Sequence, residues 1–174
     1  MSYINAHMSK ERLAMSAVQP KPKTARTVAR VTVTDFSQVY QSEPSARVAL
    51  IRVGVPAQDA KRLLERLNVS QGPVLKSLNL STATLNRKAG KAENLSPEDS
   101  ERIVGMSKLI GQVETMVAQS GNPEGFDAAH WVANWLQTPV AALGGSRPVD
   151  YMDTMEGQGM VSTLLAQMQS GAYA

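Results

Sequence analysis

Gln71-Gly72-Pro73-Val74-Leu75-Lys76-Ser77-Leu78-Asn79-Leu80-Ser81-Thr82-Ala83-Thr84-Leu85-Asn86-Arg87-Lys88 is the stretch on which the fold turns. Its apolar positions, Val74, Leu75, Leu78, Leu80 and Leu85, suit two short helices joined at Asn79. Asn tolerates a positive φ better than most residues, so Asn79 serves as the left-handed residue of the turn. Ser81 follows in the place of an N-cap for the second helix. This is the layout of a helix-turn-helix, whose second helix offers short polar and basic side chains to a groove.

The helical period extends in both directions. Upstream, Val48, Leu50 and Ile51 form a short apolar segment that Gly54 interrupts. Pro56 then stands where a first turn tolerates it, and Ala60, Leu63, Leu64 and Leu67 make one apolar face before Asn68-Val69-Ser70 ends that helix. Downstream, Ser96-Pro97-Glu98-Asp99 combines an N-cap, a proline at N1 and acids in the first turn. Ile103, Met106, Leu109, Ile110, Val113, Met116 and Val117 carry this linker helix to about Ala118, and Gly121-Asn122-Pro123 stops it. A further helix, about Pro123 to Leu136, places Ala128, Trp131, Val132, Trp135 and Leu136 on one face and ends at Thr138-Pro139. Gly144-Gly145 permits a backbone with φ > 0, Pro148 opens the next element, and Asp153-Thr154 reads as a turn or cap. Val161, Leu164, Leu165 and Met168 give the last helix its stripe.

The chain therefore reads as all-α, in three parts. Residues 1–43 form a flexible basic arm, residues 44–119 the helix-turn-helix and linker helix, and residues 120–174 a small helical domain. In the arm, Gln19-Pro20-Lys21-Pro22-Lys23 resists regular structure, and Val28, Val31 and Val33 alternate weakly enough to suit a short strand on binding. The linker helix, apolar on more than one side, is the expected dimer surface.

A net charge of +3 hides an asymmetry. Residues 1–91 carry 15 Lys/Arg against five Asp/Glu, and residues 92–174 carry three against 10. A basic half suits a phosphate backbone and an acidic half suits a basic protein surface. The absence of cysteine fits a reducing compartment, and no apolar run reaches the ~18 residues of a membrane span, so a cytoplasmic location is expected.

For nucleic acid the candidate residues are Gln71, Thr82, Thr84, Asn86 and Arg87, whose side chains can pair with base edges, with Lys76 and Lys88 placed for phosphate. Enzyme readings find little support. Two histidines, no cysteine, no phosphate-binding loop and no metal-ligand spacing leave neither a catalytic set nor a cofactor to assign. His130 reads as structural, Trp131 and Trp135 as core, and Arg147 as a partner for backbone carbonyls or another protein's carboxylate. Met152, Met155, Met160 and Met168 suit either gap-filling or an adaptable partner surface.

Ala142-Leu143-Gly144-Gly145-Ser146-Arg147-Pro148 with its downstream Asp153-Thr154 resembles the C-terminal toxin-binding segment of the Xre/MbcA/ParS-type antitoxins. Gly54-Val55-Pro56, Leu95-Ser96-Pro97-Glu98 and Trp135-Leu136-Gln137-Thr138-Pro139 resemble further motifs of that family in the same order, covering about residues 45–174. Leu75 and Asn79 depart from it, standing where its helix-turn-helix carries Ala and Gly. The resemblance implies an Xre-like DNA-binding domain followed by a toxin-binding domain. It also implies a cognate RES-type toxin that consumes NAD, operator DNA as second partner, and a homodimer or higher assembly. The toxin-binding residues it implies are Trp135, Leu143, Gly144, Gly145, Arg147, Pro148, Asp153, Gly171, Tyr173 and Ala174. Two other readings remain: a stand-alone helix-turn-helix regulator, marked by a lone gene with an upstream palindrome, and an adaptor of the same fold without DNA binding.

Overall fold

The computed structural model describes residues 31–171. In chain order it contains α1 (Phe36–Gln41), α2 (Pro44–Val53), α3 (Ala57–Arg66), α4 (Gln71–Ser77), α5 (Thr82–Gly90), α6 (Pro97–Ser120) and α7 (Ala128–Trp135). Two 3-10 turns, Ala141–Leu143 and Pro148–Tyr151, precede α8 (Met155–Gln169). The described residues contain no strand, only one isolated bridge between Pro56 and Asn94.

The fold is organised on α6. Ser96 accepts from the Asp99 N–H, Pro97 occupies the first turn and Glu98 and Asp99 face the positive end of the helix. Ten of its 24 residues are buried, among them Ile103, Met106, Ile110 and Val113, because α1, α2, α7 and α8 all pack against it. Buried polar groups connect it to its neighbours. The Ser107 hydroxyl donates to the Val33 carbonyl at 2.8 Å, and the Ser100 hydroxyl accepts from the Val55 N–H at 2.8 Å. Gln112 donates to the Ser162 carbonyl at 2.9 Å and accepts from the Ser162 hydroxyl at 2.6 Å. A single hydrophobic cluster runs from Val33 through the helix-turn-helix to Leu165, so the two halves of the chain share one core.

Several expectations need correction. The arm does not extend to residue 43: Val33, Phe36 and Val39 are buried, and α1 lies against α6 where Gly111 leaves room. A Cβ at Gly111 would stand 2.0 Å from the Phe36 carbonyl oxygen. The rest of the arm, residues 1–30, lies outside the described residues; of the weakly alternating valines, Val31 and Val33 are not in a strand. The penultimate helix starts at Ala128, not Pro123, because Gly125 takes φ +74° and Asp127 caps the helix by accepting from the His130 N–H. Met168 is exposed, so the stripe of α8 ends at Leu165. The apolar positions of α6 from Ile103 to Val113 are covered within one chain, while Met116 and Val117 near its end stay partly exposed.

Candidate interaction surfaces

Helix α5 presents a coherent outer face. Leu85 and Ala89 are buried toward α3, leaving Thr82, Ala83, Asn86 and Arg87 exposed on the opposite side. Asn79 has φ +50°, and the Ser81 side chain accepts from the Thr84 N–H at 3.2 Å, so the turn and the cap form as the sequence suggests. Thr84 and Lys88 lie half-buried at the margins, and Gln71 is half-buried at the start of α4. Lys88 donates from Nζ to the Asn94 carbonyl at 2.7 Å, and Arg87 lies 3.5 Å from the Glu93 carboxylate. An exposed pair of this kind contributes only ~0–1 kcal/mol, so a phosphate or guanine can displace it. The residues that fall together on one face are Thr82, Asn86 and Arg87.

The segment around the glycine pair is a closed loop. The Val140 N–H donates to the Ser146 carbonyl and the Gly145 N–H to the Val140 carbonyl, both at 3.1 Å. Gly144 and Gly145 take φ +63° and +84°, and a Cβ on either would meet nothing within 4 Å. Backbone handedness, not space, is therefore what requires glycine there. Pro148 opens the following 3-10 turn and is buried with Val149, whose N–H donates to the Leu136 carbonyl at 2.9 Å. Within the chain the partner of Arg147 is a carboxylate and not a backbone carbonyl: its guanidinium grips Asp150 at 2.7 and 3.3 Å. That hydrogen-bonded pair holds the Asp150 carboxyl below the usual carboxylate range and raises the guanidinium further. Asp153 leaves its carboxylate exposed while its backbone carbonyl accepts from Arg102 at 3.1 Å, and Thr154 caps α8.

Three clefts border these residues. One of about 540 Å³ joins the two halves and is lined by Lys76 and Asn79 on one side and Arg147, Asp150 and Asp153 on the other. A second, also about 540 Å³, follows an aromatic ledge of Phe126, Trp131 and Trp135. Trp131 and Trp135 stack at 5.9 Å with their planes 7° apart, and Phe126 lies 6.3 Å from Trp131. Trp135 is buried as expected, but Trp131 and Phe126 are open to solvent in part. His130 beside them is structural: its Nδ1 meets the Leu67 carbonyl at 3.2 Å and its Nε2 the Asn134 amide at 3.0 Å. The third cleft, about 420 Å³, runs between Ala142-Leu143 and the Met160, Thr163 and Gln167 side of α8. Met152 is fully buried, whereas Met155, Met160 and Met168 are exposed.

Phe126 lines the second cleft without having been singled out, because it follows Gly125 in a turn that a search for apolar stripes passes over, and Met160, one of the methionines suited to a partner surface, lines the third. Gly171, at φ +71°, ends α8; Tyr173 and Ala174 lie outside the described residues. Among the described residues no group of acidic or histidine side chains is arranged to hold a metal ion, and no helix is long and apolar enough to cross a membrane.

Comparison with known proteins agrees with this two-part layout. Residues 46–107 match the antitoxin Xre-like helix-turn-helix domain, and residues 124–171 match the antitoxin Xre/MbcA/ParS C-terminal toxin-binding domain. The chain is 50% identical over 139 residues to the Prs ADP-ribosylating antitoxin of a Sphingobium species, spanning 80% of this chain and 87% of that protein. It is also 22% identical over 107 residues to Antitoxin Xre of Yersinia enterocolitica, spanning 62% and 67% of the two chains. The capped recognition helix, the left-handed glycine loop and these matches together place the chain in the Xre/MbcA/ParS family of antitoxins.

Proposed function

We propose that this antitoxin neutralises a RES-type, NAD-consuming toxin by occluding its active site with residues 120–174, and represses its own operon through α5. One observation carries the toxin half. In residues 120–174 the only basic side chain, Arg147, is already paired with Asp150, so Glu124, Asp127, Asp153 and Glu156 form an uncompensated acidic surface. A cleft that holds the pyrophosphate of NAD is lined with cationic donors, and such a surface complements it. The Sphingobium relative is named for ADP-ribosylation, a transfer whose usual donor is NAD.

Inhibition by occupancy needs no chemistry from this chain. The contact residues proposed are Leu143, Gly144, Gly145, Arg147 and Asp153, with the tail of Gly171, Tyr173 and Ala174 entering the cleft; Trp135 and Pro148, buried within the chain, hold that surface in place and do not touch the toxin. Gln71, Lys76, Thr82, Thr84, Asn86, Arg87 and Lys88 are proposed for operator DNA, read by a homodimer in the cytoplasm. The internal contacts of Arg87 and Lys88 favour a second reading, an adaptor that no longer binds DNA.

Co-expression with the neighbouring gene tests the proposal. The neighbour's product arrests growth alone, and the full chain restores growth and co-purifies with it. Promoter DNA is retarded by the complex at low salt, and Arg87→Ala weakens sequence preference by about 1–3 kcal/mol. A harmless neighbour sinks the antitoxin pairing; unshifted DNA leaves the adaptor reading.

A further inference from the structure

Large aromatic side chains are scarce in this chain and unevenly placed. Of its two tryptophans and two phenylalanines, Trp131, Trp135 and Phe126 line the one cleft that runs along α7. Trp135 is buried and stacks on Trp131, which stays partly open, and Phe126 is 39% exposed. The remaining phenylalanine, Phe36, is buried in the core. Rings left in water forgo the gain of burial, and tryptophan is enriched where binding energy concentrates, so this ledge has the makings of an anchor point.

The polar groups around the rings select what fits. Apart from the indole N–H groups, the side-chain donors of the cleft are used within the chain. His130 donates from Nδ1 to the Leu67 carbonyl at 3.2 Å, and the Asn134 amide donates to His130 Nε2 and to the His130 carbonyl, both at 3.0 Å. The Thr138 hydroxyl donates to the Asn134 carbonyl at 3.3 Å. Acceptors are left over. One Asp127 oxygen accepts from the His130 N–H at 2.9 Å, while its second oxygen and Asn134 Oδ1 accept nothing among the described residues. Neither Asp127 nor Glu124 in the same turn belongs to an ion pair there. The cleft therefore lacks a donor, carries negative charge and has an aromatic wall. A guanidinium meets all three conditions, because its plane stacks on an indole while its edge donates to carboxylate and carboxamide. A phosphate is repelled by the same carboxylates.

We propose that the Phe126–Trp131 ledge receives an arginine side chain from the surface of the toxin. The inference rests on the reading of residues 120–174 as the toxin-binding half. It gives that half a second foothold, built from other residues than the glycine loop and the tail.

Calorimetric titration of the full chain into the neighbouring gene's product, with phenylglyoxal footprinting of the partner's arginines in the complex, tests it. Trp131→Leu weakens binding about tenfold or more. Glu124→Gln combined with Asp127→Asn weakens it severalfold at low salt and flattens its salt dependence, while Asn still caps α7. One partner arginine, shielded by the unaltered chain, reacts when the saturating chain carries Trp131→Leu. Circular dichroism melts check folding; should Trp131→Leu unfold, Phe126→Ala and the charge variant carry the test. Binding indifferent to these variants overturns the ledge and leaves the antitoxin reading standing. Weakened binding with no arginine newly reactive also overturns it, reducing the ledge to an apolar contact. Fluorescence of Trp131 quenched by a single-stranded oligonucleotide without the partner assigns the rings to bases and overturns it as well. No binding by the unaltered chain removes the antitoxin pairing and this proposal together.

Discussion

At the scale of single residues, the informative positions are those where the backbone is left-handed. Asn79 and the pair Gly144-Gly145 could be read from the sequence, because Asn and Gly are the residues that adopt positive φ at little cost. Ala92, at φ +54°, could not, because alanine signals helix and nothing in its identity marks the bend. Replacing Gly144 or Gly145 by Val is expected to destabilise the closed loop by roughly 1–3 kcal/mol, since a β-branched residue resists that region. Urea denaturation measures the loss, and toxin neutralisation fails in the same variants. Lys108 is a second residue whose state the sequence conceals. Burial, and then the nearby Arg47 charge, lower its pKa from the ordinary 10.5. The folded state therefore disfavours the charged ammonium, a penalty present at neutral pH and relieved as pH rises through the folded pKa toward the unfolded one. Lys108→Met is expected to raise the thermal midpoint at pH 7, with an advantage that shrinks through the alkaline range. A gain that grows with pH contradicts the sign.

At the scale of elements, three helix starts were legible because a side chain caps each of them locally. Ser81, Ser96 and Thr154 all accept from the backbone N–H three residues on. The start of α7 was misplaced because Asn122-Pro123 imitates a cap and first turn. In the folded chain Asn122 instead closes a short turn onto the Glu124 N–H, and Gly125 breaks the path before Asp127 begins the helix. Asp127→Ala should accordingly cost about 1 kcal/mol by chemical denaturation, while Asn122→Ala should cost less. Helix α1 was hidden for another reason. Asp35 caps it and Val33, Phe36 and Val39 bury at helical spacing, but a basic, proline-bearing run precedes them and colours the whole segment as an arm.

At the scale of the whole molecule, the division of charge is written in the sequence, whereas the meeting of surfaces is not. Lys76 and Arg147 are far apart in the chain, assigned to different partners, and line the same cleft. Only tertiary packing brings α4 against the turn at Pro148–Tyr151. Because one core links the two halves, unfolding should be a single cooperative transition, with tryptophan fluorescence and far-UV dichroism coincident. Trp131 and Trp135 both report from the C-terminal half, so an early fluorescence transition would show that half melting alone. The account as a whole rests on the acidic C-terminal half stopping an NAD-consuming partner. NAD turnover by the neighbouring gene's product, assayed alone, with the full chain and with a chain lacking residues 171–174, tests this most directly. The account predicts turnover alone, none with the full chain, and turnover restored by the shortened chain within an intact complex. Turnover undiminished by the full chain, or no turnover by the partner at all, would contradict it.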